Sequence, residues 1–117
     1  MSLLISVFLV DDDGRVTEQI TPDEGMGGFE STRHDLWGSD KAVALGARFL
    51  PQLRHDDLWV TPAQLDAFEA EVRRMRQAVE HLAGACGYRP SYVDQRLHNM
   101  ERACALARTV GGGVVVD

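Results

Sequence analysis

The chain opens on an almost unbroken apolar run, LLISVFLV at residues 3–10, which ends at three aspartates. A short apolar run bounded by turn residues predicts a central strand buried on both faces. Asp13-Gly14 is a strong hairpin signal, and RVTEQI at residues 15–20 alternates after it. A second strand should therefore pair back, nearer the sheet edge. Residues 21–28 (TPDEGMGG) carry Pro and three Gly and read as loop. Ser39 is placed to cap a helix running to about Leu50, where Pro51 stops it. DLWV at residues 57–60 reads as a short middle strand.

Thr61-Pro62-Ala63-Gln64 combines a capping Thr, a Pro at the first helical position and a Gln that completes a capping box. Beyond it, Leu65, Phe68, Val72, Met75, Val79, Leu82 and Cys86 recur at alternating spacings of three and four. That is one seam on one long helix, ending at Gly87. Ser91, with Asp94 three residues on, should cap a second helix. Its seam is Val93, Leu97, Met100, Cys104 and Ala107. The short link between the helices predicts an antiparallel hairpin. The glycines at 111–113 then break the helix, and Val114-Val115-Val116 reads as a last strand paired with the N-terminal hairpin. The predicted fold is α+β. A small, mostly antiparallel sheet packs against a helix and a two-helix antiparallel hairpin, as one domain over residues 1–117.

Composition fits this picture: 26% charged and 44% apolar residues are ordinary for a globular chain and exclude a disordered or low-complexity one. No apolar run approaches the ~20 residues of a membrane-spanning helix. The first apolar run lacks the basic flank of a signal peptide, so a cytoplasmic chain is expected. Charge is unevenly placed. Residues 1–60 hold eleven acids against five bases, whereas residues 61–117 hold seven of each. This balance argues against nucleic-acid binding and favours a basic partner or simple solubility.

Candidate catalytic chemistry is thin. Cys86 and Cys104 both fall on apolar stripes and form no C-x-x-C, so buried free thiols are expected. The aspartates of Asp11-Asp12-Asp13-Gly14 lack the later ligands of a calcium loop and fit turn chemistry instead. Two His-Asp pairs, at His34 and His55, invite a metal or acid–base reading, but in a strand neighbouring side chains point apart. No catalytic residue, metal ligand or cofactor site is assigned. Arg33-His34-Asp35-Leu36-Trp37 recurs as Arg54-His55-Asp56-Asp57-Leu58-Trp59. The repeat suggests one device used twice, an extended segment that delivers a Trp to the core before a capped helix. The stretch GGFESTRHDLWGS, ending at Ser39, mixes Phe29 and Trp37 with charge and would make a recognition patch if exposed.

Five segments carry a resemblance: LLISVFLVDDDG, GGFESTRHDLWGS, GARFLPQL, LWVTPAQLDAFEAEV and the ending GGGVVVD. In these the chain resembles small actinobacterial α+β proteins of the immunity type, which neutralise toxins by binding them. The resemblance implies a non-enzymatic inhibitor and transfers no site residue. Joined to the charge asymmetry, it yields an expectation of an acidic surface that occludes a basic toxin domain. The candidate partner-binding residues are Asp11, Asp12, Asp13, Glu30, Asp35, Asp56 and Asp57, with Trp37 as an anchor. Acids of the charge-balanced half, such as Glu71 and Glu80, should matter less. Two other readings stand beside it. One is a small enzyme or ligand-binding domain using His34 and His55 with nearby carboxylates. The other is a homodimeric structural module pairing through an exposed strand edge.

Overall fold

Asp11 folds the first hairpin. Its Oδ1 accepts the backbone N–H of Asp13 and of Arg15, both at 2.9 Å, and Gly14 follows at φ +80°. In the computed structural model, which describes residues 2–117, this turn joins β1 (Ser2–Val10) to an antiparallel β2 (Val16–Ile20). β3 (Met26–Phe29) also pairs antiparallel with β1, at its N-terminal end. This corrects the loop expected over residues 21–28. The glycines that signal a loop are what let the strand form. A Cβ on Gly27 would lie 3.1 Å from that of Leu3, and Gly28 takes φ +111° beside a register shift.

β4 (Leu58–Val60) and β5 (Gly113–Val116) complete the sheet, in the order β2-β1-β5-β4 with every neighbour antiparallel. The three-valine ending thus lies centrally, pairing with both β1 and β4. A side chain at Gly113 would collide with the Val60 carbonyl and the Phe8 ring, so the strand can only begin with glycine there.

The helices are α1 (Asp40–Ala44), α2 (Leu65–Gln77), α3 (Val79–Cys86) and α4 (Pro90–Val110). Ser39 caps α1, its Oγ accepting the Ala42 N–H. However, α1 stops well short of Leu50. Gly46 adopts φ +93°, the Ala47 N–H turns back to the Ala42 carbonyl, and the N–H groups from Arg48 to Leu50 are taken by a side chain from α2. Pro51 then lies inside a 3₁₀ turn at Leu50–Arg54 rather than ending a helix. The capping box at Thr61 and Gln64 is present.

The single long helix expected over residues 65–86 is divided at Ala78, with no Pro or Gly at the break. α2 packs on α4, whereas α3 reaches α1 as well as α4. The start of α4 also differs: Pro90 takes the first helical position, Arg89 precedes it, and Ser91 caps nothing. Asp94 is free of capping and pairs with Arg76 of α2 instead, at 2.9 Å. At the other end, Arg108 of α4 holds Asp66 and Glu69 near the start of α2, both at 2.7 Å. Late-to-early pairing at both ends makes the two helices antiparallel.

The hydrogen bonds and charge of Arg76 hold the Asp94 carboxyl below its ordinary value. Its stabilising effect is therefore full above the ordinary carboxylate range and is lost as pH falls below it. Asp94→Asn should flatten the dependence of melting temperature on pH below about 4, relative to the native chain. Parallel acid-melting curves for the two proteins would contradict this.

One face of the sheet presents Leu3, Ile5, Val7, Leu58, Val60, Val114 and Val116 to a core shared with Phe68, Val72, Met75, Leu97, Met100 and Cys104. That core also holds one buried carboxylate. Glu71 of α2 is 3% exposed and accepts the successive N–H groups of Arg48, Phe49 and Leu50. It pins the irregular segment after α1 to the helical layer. No helix among the described residues is long and apolar enough to cross a membrane.

Candidate functional site

The two copies of the Arg-His-Asp echo grip each other through their arginines. Arg33 lies in a single π-helical turn (Arg33–Trp37) and donates to the Leu53 and Asp56 carbonyls, at 3.2 and 2.8 Å. Its other nitrogens reach the carboxylates of Glu30 and, at 2.8 Å, Asp57. Arg54 of the second copy donates back to the Gly38 carbonyl at 3.1 Å. Gly38 has to be glycine, because a Cβ would run into the Arg33 carbonyl and into Arg54. Burial works against the Arg33 charge, but the hydrogen bonds it donates to Asp57 and Glu30, and their charges, raise its pKa above the ordinary value. Arg33 is therefore a fixed cation that holds two acids directly and the backbone of a third. Glu30 and Asp57 touch it, Asp56 lends it a carbonyl, and exposed Asp35 sits in the same turn.

The remaining acids lie elsewhere. Asp11, Asp12 and Asp13 occupy the hairpin beyond Val10, whereas Phe29, which precedes Glu30, pairs with Ser2. β1 runs between these places for nine residues, which at strand rise is roughly 26 Å. The one acidic surface expected from the sequence is thus two groups at opposite ends of β1. Asp11 is further committed to its own turn.

Trp37 is no anchor. It is 0% exposed, and its Nε1 donates to the Gly27 carbonyl at 3.0 Å. The second Trp of the echo behaves differently: Trp59 is 45% exposed and meets Phe8 edge-to-face at 5.1 Å. The two copies therefore do not repeat one device, since one Trp enters the core and the other leaves the sheet on its far side.

Beside the Arg33 cluster stands an aromatic ladder that the sequence reading missed. Phe29, 59% exposed, stacks on Tyr92 at 5.9 Å, and Tyr92 stacks on Tyr88 at 5.6 Å. The Tyr92 hydroxyl accepts the Phe29 N–H at 3.0 Å, and the Arg96 guanidinium lies 4.3 Å from the Tyr92 ring centre. Burial raises the Tyr88 hydroxyl pKa, with Ser31 lowering it and Asp35 raising it again. The four-residue step from Tyr92 to Arg96 was the available signal. The partnership with Phe29 was not readable, because it joins residues 63 apart in the chain.

His34 and His55 are both exposed, in neighbouring turns. Among the described residues no group of three or more His, Cys, Asp and Glu could hold a metal ion. Cys104 is a buried free thiol whose pKa is pushed up to about 12 by burial, and Cys86 is free and half-buried. No family model, curated protein or solved structure matches the chain.

Proposed function

We propose that the chain is a non-catalytic binding protein of the immunity type, which docks its acidic end on a basic protein surface and shuts out that protein's substrate. The observation that supports this most is the Arg33 cluster. Arg33 holds the Glu30 and Asp57 carboxylates and the backbone of Asp56 in one place, with exposed Asp35 in the same turn and exposed Phe29 close by. A surface ordered in advance loses little entropy on binding. Carboxylates at that surface attract the same cationic cleft that attracts nucleic acid, so a nuclease-type toxin domain fits as the partner.

Co-expression with the toxin-like product of a neighbouring gene tests the reading. The native chain should restore growth, and His34→Ala and His55→Ala should restore it equally, because neither ring has a chemical role in occlusion. Failure to bind any such product, with a turnover that either His substitution abolishes, would replace the inhibitor by an enzyme.

A further inference from the structure

The apolar run of β1 predicted burial on both faces, yet the helices cover only one. A one-sided antiparallel sheet normally turns polar residues to water. Here the outward positions are Leu4, Ser6, Phe8 and Val10 on β1, Met26 opposite Leu4, and Val115 between Ser6 and Trp59. Phe8 and Val115 are already buried, while Leu4, Met26 and Trp59 are 43, 41 and 45% exposed. The face is therefore an apolar strip with a projecting Trp. Ser6, which bonds to Thr21, interrupts it, and exposed Gln19 opposite Phe8 edges it on β2. An apolar strip with an aromatic anchor is typical of interface centres.

Its borders are acidic. Asp57 stands two residues before Trp59 but is already paired with Arg33. The Asp117 N–H donates to the Leu4 carbonyl at 2.9 Å, which places Asp117 directly across from Leu4 as, among the described residues, the unpaired acid of that border. The far end carries Asp11, Asp12 and Asp13, with Arg15 leading into β2. A second copy packed face to face would bring acidic borders against acidic borders, which costs binding energy. Charge complementarity selects the opposite occupant.

We infer that this sheet face is a docking surface for a protein segment with an apolar centre and a Lys- or Arg-rich border. The inference rests on the reading of a basic partner and adds the apolar half of that contact. Trp59 and Leu4 enter the partner's apolar centre, and Asp117 at one border and Asp12 and Asp13 at the other meet its cations.

The test is amide-shift mapping of the intact chain with two short synthetic peptides, one alternating Lys with Val and one alternating Glu with Val. The Lys peptide should move Leu4, Ser6, Trp59 and Val115, and the Glu peptide should move none of them. Trp59→Ser and, separately, Leu4→Ser should weaken binding about tenfold or more, with native circular dichroism retained. Shifts confined to Glu30, Asp35 and Asp56 would overturn the inference and leave the acidic reading standing. Equal binding of both peptides on this face, or of neither, would overturn the inference and the basic-partner reading together. A concentration-dependent dimer of the native chain, lost in Trp59→Ser, would assign the face to a second copy instead.

Discussion

Deletion of residues 112–117 should leave a chain that no longer folds. β5 pairs with β1 on one side and β4 on the other, so its loss strands the ladder groups of both neighbours. Val114, Val115 and Val116 are each fully buried, and their burial contributes roughly 5–9 kcal/mol. That is comparable with the whole stability of an ordinary domain, about 5–15 kcal/mol. The truncated chain should be insoluble or show no cooperative melting. Native circular dichroism with an unchanged melting temperature would show that the segment is dispensable.

Glu71→Ala should cost as much as truncating a large apolar side chain of the helical layer, although Glu71 is a charged residue. The carboxylate is buried and accepts from Arg48, Phe49 and Leu50, and its removal leaves three backbone donors without that acceptor, the one on Leu50 fully buried. Losing a buried charged hydrogen-bond acceptor of this kind costs about 3–5 kcal/mol, or a fall in melting temperature of roughly 10–20 °C. Glu71→Gln should cost less, because the amide keeps one acceptor oxygen. Exposed Glu80 provides the control, and its exchange for Ala should stay within about 0.5 kcal/mol. Equal melting temperatures for the Glu71 and Glu80 variants would contradict the role given to Glu71.

These two segments mark what the sequence could and could not disclose. Val114–Val116 was legible as a paired strand because three β-branched residues after a glycine break have few other uses. The seams of α2 and α4 were legible because helical burial repeats locally. Glu71 was not, because a carboxylate on a helix gives no sign that three amides from another segment will close around it. Sequence reading grouped it with Glu80 among the acids of the charge-balanced half. β3 was hidden for a related reason: glycine permits both a loop and a close strand contact, and only the position of Leu3 decides between them.

The candidate site divides in the same way. Charge asymmetry located the acids, but it carried no distance, so Asp11, Asp12 and Asp13 were joined to Glu30, Asp35, Asp56 and Asp57 in one surface. The length of β1 separates them. Trp37 and Trp59 sit in matching motifs, and nothing local says that one is buried and the other exposed. Strand parity decides for Trp59, which points away from the helices between inward-facing Leu58 and Val60.

The association rate with the toxin-like partner, measured against ionic strength, tests the central claim most directly. The rate for the native chain should fall steeply as salt shortens the Debye length from about 10 Å to about 3 Å. Asp35→Lys with Asp56→Lys should lower the low-salt rate by about tenfold or more and flatten the salt dependence. Asp12→Lys with Asp13→Lys, at the far end of β1, should change the rate much less, as should Glu80→Lys. A rate indifferent to salt, or equal losses from all three reversals, would contradict docking through the Arg33 cluster.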